Sequence, residues 1–186
     1  YLNLLKQGEY STKEDMESYV DICYEKAIQL KELSDRLFQY FYVFGNSNEK
    51  TETEEYEASL LFNQVIGEYA YLLSEKGYDI RLADIEPDCY IETNALYLNR
   101  LFGNVFSNIE KYADRLSPIT MDAEYKDGKI VYTIKNKVKQ NVSKKESTGI
   151  GLLSCKKIAK QIGCSFETID SGDCFEVKLT FSVTKK

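Results

Sequence analysis

The sequence predicts an α+β protein: a long helical hairpin with a truncated first helix, then an α/β sandwich whose mixed, mostly antiparallel sheet is covered on one face by helices. Three observations carry that expectation. Met16, Val20, Cys23, Ala27, Leu30, Ser34, Leu37, Phe41 and Phe44 recur in alternating steps of four and three, a heptad seam that only a helix presents on one side. Late in the chain the apolar period falls to two, through Ile119–Tyr125, Ile130–Ile134 and Phe175–Val183, as in strands with a single buried side. Segments of helical spacing lie between those strands and are available to cover that side.

Taken in order, Tyr1 to Lys6 read as the last turns of a helix begun upstream, ending at Gln7-Gly8. Ser11-Thr12-Lys13-Glu14 forms a capping-box start for the heptad helix, with Glu14 and Asp15 in its first turn. Tyr19, Ile22, Leu33 and Phe38 widen the seam. So broad a stripe needs the preceding helix and a second copy of itself, as in a four-helix bundle formed by two hairpins; the plainer alternative is a helix docked on its own domain. Gly45 to Glu55 is polar and unpatterned, a linker. Residues 1–45 are thus expected to form one domain, 46–55 the linker and 56–186 a second domain.

Ala58 to Glu75 returns to helical spacing and closes at Gly77. Tyr78, Ile80 and Leu82 alternate as a strand, and a short extended piece follows Pro87 around Tyr90-Ile91. A helix spans about Asn94 to Ala113, and a hairpin turns at Asp127-Gly128. Lys137 to Thr148 is charged and unpatterned, a loop. The helical pattern around Cys155–Ile162 stops at Gly163, and a last hairpin turns at Ser171-Gly172-Asp173.

Composition narrows the function. The chain has 186 residues, of which 43% are hydrophobic, enough for a sizeable core. A net charge of −6 and a pI near 4.9 argue against nucleic acid as the main partner. The five Cys form no Cys-x-x-Cys pair and there is no His, so neither a zinc site nor a disulfide framework is expected; a reducing, cytoplasmic setting is the simple reading. No apolar run approaches the ~20 residues of a membrane span. The chain begins at Tyr1 in mid-pattern and reads as a piece of something longer, so any membrane attachment would lie in upstream segments.

Two stretches carry chemistry. Wound at ~100° per residue, Leu101–Tyr112 places Asn104, Asn108, Lys111 and Tyr112 at about 0°, 40°, −20° and 80°, with Phe102, Val105, Phe106 and Ile109 between about 100° and 200°. Two carboxamides one turn apart can hold a hydrated Mg²⁺ or polyphosphate oxygens without adding negative charge, and the Lys neutralises phosphate from the same side. The competing reading is an amphipathic helix whose polar face meets solvent. Downstream, Ser147-Thr148-Gly149-Ile150-Gly151-Leu152-Leu153 places a Gly-x-Gly turn at the start of a helix, where N–H groups and the helix dipole attract phosphate. Neither a Rossmann fingerprint nor a P-loop is present.

Asn104-x-x-x-Asn108-x-x-Lys111-Tyr112 resembles the N box, and Gly149-Ile150-Gly151-Leu152 the second glycine box, of the ATP-binding domain of sensor histidine kinases, within the gyrase/Hsp90/histidine-kinase/MutL superfamily. The resemblance covers essentially the whole chain. It implies ATP and Mg²⁺ as cofactors, with Asn108 the Mg²⁺ ligand and Asn104 and Lys111 on the phosphates. Tyr112, Asn136, Val138, Thr148, Gly149, Ile150, Gly151 and Leu152 would border the nucleotide. It also implies a homodimer through the heptad helix and a response-regulator receiver domain as partner. The acceptor His would sit about three helical turns upstream of Tyr1, so this stretch is expected to bind ATP without phosphorylating itself.

The chain departs from the family in two places. Asn136-Lys137-Val138 stands where Asp-x-Gly opens the first glycine box, and a neutral Asn oxygen accepts more weakly from an adenine amino group than a carboxylate does. The loop from Asn136 to Gly149 is short and lacks the usual Phe-containing lid; Lys144 and Lys145 offer phosphate contacts there or are simply solvated. These departures favour a second reading, a degenerate, non-catalytic dimerisation or regulator-docking module. A serine-protein kinase of the anti-sigma type would leave the heptad helix unexplained.

Overall fold

A computed structural model of the chain describes residues 1–44, 51–83, 89–140 and 150–185. Two compact units result, Tyr1–Gly45 and Asn46–Lys186.

The first unit is helical. Helix α1 (Leu2–Gln7) ends on Gly8 at φ 70°, and the Gly8 and Glu9 N–H groups donate back to Leu5 O and Leu4 O. That is the left-handed closure glycine makes at little steric cost. Helix α2 (Lys13–Phe44) starts one residue later than the expected capping box. Thr12 Oγ1 accepts from the Asp15 N–H at 3.0 Å, and Asp15 Oδ2 accepts from the Thr12 N–H at 3.1 Å, so the reciprocal pair is Thr12–Asp15 and not Ser11–Glu14. The Tyr1 and Tyr19 rings meet at 5.1 Å. Val20, Leu30, Leu37 and Phe41 along the expected seam and Leu33 on its flank remain exposed, so one copy of this unit does not bury its own stripe. The expected seam and flank positions Phe44 and Phe38, as side chains, and the linker residues 45–50 lie outside what is described.

In the second unit the elements run β1 (Glu54–Glu57), α3 (Ala58–Glu75), β2 (Ile80–Leu82), β3 (Cys89–Thr93), α4 (Ala95–Tyr112), β4 (Ile119–Lys126), β5 (Lys129–Lys137), α5 (Ile150–Gln161), β6 (Ser165–Asp170) and β7 (Cys174–Lys185). β1 corrects the sequence reading, since Glu54 and Glu55 belong to a strand and not to a linker. Three Glu around a single Tyr carry no alternating apolar signal, and β1 forms only because β3 offers it an edge, with Tyr56 opposite Ile91. The sheet order is β1-β3-β7-β5-β4-β2, with β6 also paired to β7; among the described residues only β2 with β4 is parallel. The mixed, mostly antiparallel sheet is therefore as expected.

β5 alternates strictly: Ile130, Tyr132, Ile134 and Asn136 point inward. From β7, Val177, Leu179 and Phe181 join them, and from the helices Phe62, Leu98, Phe102, Val105 and Ile158. At the centre the Phe62 ring stacks on Tyr132 at 4.9 Å and meets Phe102 and Phe181 edge-on at 6.0 and 5.7 Å. The β4–β5 turn holds Asp127 at φ 52° and Gly128 at φ 72°. Two consecutive left-handed residues match the twist of a two-residue hairpin, and Asp-Gly is the pair that tolerates them. Gly128→Ala is expected to cost about 1–2 kcal/mol, read from urea unfolding, because its Cβ would be forced into that region.

Among the described residues, no helix is long and apolar enough to cross a membrane.

Candidate functional site

Helix α4 begins at Asn94, whose side chain accepts from the Tyr97 N–H at 3.0 Å while its Nδ2 donates to Glu52 O at 2.8 Å. The apolar arc formed by Leu98, Leu101, Phe102, Val105, Phe106 and Ile109 is fully buried. One flank of that arc meets α3, where Tyr69 stacks on Phe106 at 4.8 Å and donates to the Asn99 side chain. A Cβ on Gly103 would come within 3.0 Å of the Tyr69 hydroxyl oxygen, so this flank is closely packed.

The opposite flank carries the polar row. Asn104 and Asn108 are half-buried, Tyr112 likewise, and Lys111 is exposed. Asn104 borders α5, since its carboxamide is hydrogen-bonded to the Cys155 sulfur and that thiol donates to Leu101 O at 3.7 Å. Between β5 and β6 the chain passes through α5, and Ser165 at the start of β6 pairs with Thr180, far along β7 from the Asn136–Phe175 pair. α5 thus runs from the end of the sheet where β5 finishes toward the other end. α4 finishes at that same end, so the two helices are antiparallel, with Cys155 of the second turn of α5 against Leu101 and Asn104.

At that end α4 and β5 are joined directly. Ala113 pairs with Val138 across an isolated bridge; the Lys139 N–H donates to Tyr112 O and the Asp114 N–H to Lys137 O, both at 2.9 Å. Asn136 is 4% exposed because it takes the fourth inward position of β5, and its Nδ2 donates to Lys137 O at 2.9 Å. The structure therefore gathers Asn136, Val138, Lys111 and Tyr112 at one end of the sheet, with Asn104 and Asn108 leading away along α4.

Of the glycine stretch, Ile150, Gly151 and Leu152 form the first turn of α5 and are half-buried. Gly151 is thus helical, where the sequence reading has it in a turn ahead of the helix. Thr148, Gly149, Lys144 and Lys145 lie outside the described residues. The N–H groups of a first helical turn have no intrahelical acceptors, so this turn presents donors and positive dipole to an anion.

Among the described residues, no group of three or more His, Cys, Asp or Glu side chains could hold a metal ion. A lone carboxamide cannot retain Mg²⁺, but it suits a Mg²⁺ whose other ligands are polyphosphate oxygens and water. The donor set at Asn108 therefore fits a metal that arrives with a nucleotide.

Burial pushes the Cys155 thiol up to about 12, against a weaker opposing pull from the Asn104 hydrogen bond, and burial does the same for Cys164. In the unfolded chain such thiols titrate near 9.0, so unfolding releases their protons first and stability, complete below about pH 8, falls as pH rises from there toward 12. With a thiol reagent at pH 8, half-buried Cys23 and Cys174 are expected to react promptly, and buried Cys89, Cys155 and Cys164 only on unfolding. Prompt modification of all five would contradict this packing.

No family model matches the chain. It is 28% identical over 189 aligned residues, 98% of its length, to a protein of Bacillus subtilis strain 168 named sensor histidine kinase YrkQ, of which it spans 43%. Among solved structures, full-length ShkA in complex with AMPPNP superposes on 98% of the chain with TM-score 0.76 at 18% identity, the match spanning 42% of ShkA. Acinetobacter baumannii histidine kinase AdeS covers 97% of the chain and 90% of its own length at TM-score 0.65 and 11% identity. The nucleotide-free catalytic domain of histidine kinase ThkA matches over its whole length and 73% of the chain, with TM-score 0.58 and 16% identity. The second unit has the fold of a histidine-kinase catalytic domain. Over nearly its full length the chain is, in sequence, similar to a sensor histidine kinase.

Proposed function

We propose that this chain is the ATP-binding catalytic portion of a sensor histidine kinase, which phosphorylates a His upstream of Tyr1 and signals to the receiver domain of a response regulator. Residues 1–45 then act as the dimerisation part and 56–186 as the catalytic domain, working in the cytoplasm as a homodimer. The observation that carries the reading is the junction of the end of α4 with the end of β5, from which the polar row leads back along α4 to Asn104 beside α5. Phosphoryl transfer leaves a protein little covalent work, so these groups would position ATP–Mg²⁺ and offset its charge. Asn108 would ligate Mg²⁺, Asn104 and Lys111 and the amides from Gly149 to Leu152 would reach the phosphates, and Tyr112, Asn136 and Val138 would border the base.

Asn104 is already bonded to Cys155 and Asn136 to a neighbouring carbonyl. That internal use favours the second reading, a non-catalytic kinase-like docking module. Titration with ATP and Mg²⁺ followed by thermal unfolding separates the two: at ~100 times its Kd the nucleotide adds about 2.7 kcal/mol to the stability of a binder and nothing to a vestigial pocket. Phosphotransfer to a supplied hairpin carrying the upstream His then tests the enzyme itself.

A further inference from the structure

Helices α1, α3 and α5 each run into a glycine at positive φ, namely Gly8, Gly77 and Gly163. α4 does not. Ala113 follows it in extended conformation, φ −72° and ψ 140°. The last carbonyls of a helix have no intrahelical donors, and here the donors come from elsewhere in the fold. The Tyr78 hydroxyl donates to Glu110 O at 3.0 Å and the Lys139 N–H to Tyr112 O at 2.9 Å. Lys139 Nζ donates to Lys111 O at 3.0 Å and, at a longer 3.4 Å, to Glu110 O. One residue therefore serves three successive carbonyls, those of the turn that bears Lys111 and Tyr112. Its ammonium also lies at the negative end of the helix dipole, where a cation is favoured. Lys139 follows directly on Val138, which is held by its bridge to Ala113 and by its N–H donating to Asp173 O at 2.9 Å.

We infer that Lys139 is a positioning residue that clamps the last turn of α4 to the end of β5 and so fixes where Lys111 and Tyr112 stand relative to Asn136. The effect on ligand binding rests on the proposed nucleotide site; the clamp itself does not. Lys139→Met keeps the aliphatic stem and removes the charge and donors, whereas Lys139→Arg keeps both.

The whole chain in each form is followed by hydrogen exchange and by calorimetric titration with ATP and Mg²⁺. In Lys139→Met the amides of Lys111, Tyr112 and Ala113 are expected to exchange about tenfold faster, and nucleotide affinity to fall about tenfold, the scale of a hydrogen bond to a charged group. Amides of Leu101 to Val105 keep their protection, and Lys139→Arg restores both readouts. Unchanged exchange in Lys139→Met overturns the inference, as does an affinity loss without faster exchange, or an Arg variant no better than Met. If the unaltered chain binds no ATP, the proposed function fails, and the exchange result alone decides on Lys139.

Discussion

Asn108→Ala is expected to weaken Mg²⁺-dependent ATP binding by about 100-fold, the upper range for a buried hydrogen bond or ligand bond to a charged group. The side chain is half-buried on the polar flank of α4 and takes no part in the aromatic core, so the variant should unfold at nearly the same urea concentration. Calorimetry with ATP in the presence and absence of Mg²⁺ reads the effect. An affinity equal to that of the unaltered chain would remove Asn108 from the metal site and leave the docking module as the better reading. Loss of binding together with loss of fold would be uninformative for Ala, and Asn108→Asp then serves as the second variant. It keeps an oxygen ligand, so retained binding that depends more steeply on Mg²⁺ points to metal ligation.

Phe62→Ala should have the largest effect on stability, about 3–5 kcal/mol, because the transfer of a whole ring is lost and a cavity remains. Phe62 is fully buried, and its ring is the one against which Tyr132, Phe102 and Phe181 all pack, so no single neighbour can close the space. For a unit of this size that loss corresponds to a fall of roughly 10–20 °C in the unfolding midpoint. Helicity of the first unit, which shares none of these contacts, should outlast the transition. A loss under about 1.5 kcal/mol would mean that helices α3 and α4 collapse onto the sheet, contrary to close packing of this core.

Much of this fold is legible in the residues themselves. The limits of α3, Ala58 and Glu75, are those of the helical spacing, and β4, β5 and the Val177–Phe181 part of β7 bury alternate apolar residues as expected; β6 does not, since Ile169 is exposed. β1 is not legible, because Glu54–Glu57 owes its conformation to the open edge of β3 and not to any pattern of its own. The capping box was readable only to within a residue, since Ser11 and Thr12 are both good caps and the reach of the Asp15 carboxylate decides between them. At the candidate site the α4 row was readable from spacing alone. The importance of Lys139 was not, because a Lys in a charged loop carries no periodic signal, and only its distance from carbonyls 28 and 29 residues earlier distinguishes it.

By itself the sequence determined which residues share a face: the heptad stripe, the two Asn and the Lys on α4, and the inward row of β5 from Ile130 to Ile134, which the structure extends to Asn136. Those are consequences of local geometry, fixed by the repeat of a helix or a strand. Tertiary structure alone decided which faces meet: that Asn104 borders Cys155, that α4 and α5 run antiparallel, and that Lys139 closes α4 in place of a glycine. Such contacts join residues far apart in the chain, and their energies depend on burial and on donors that no local pattern encodes.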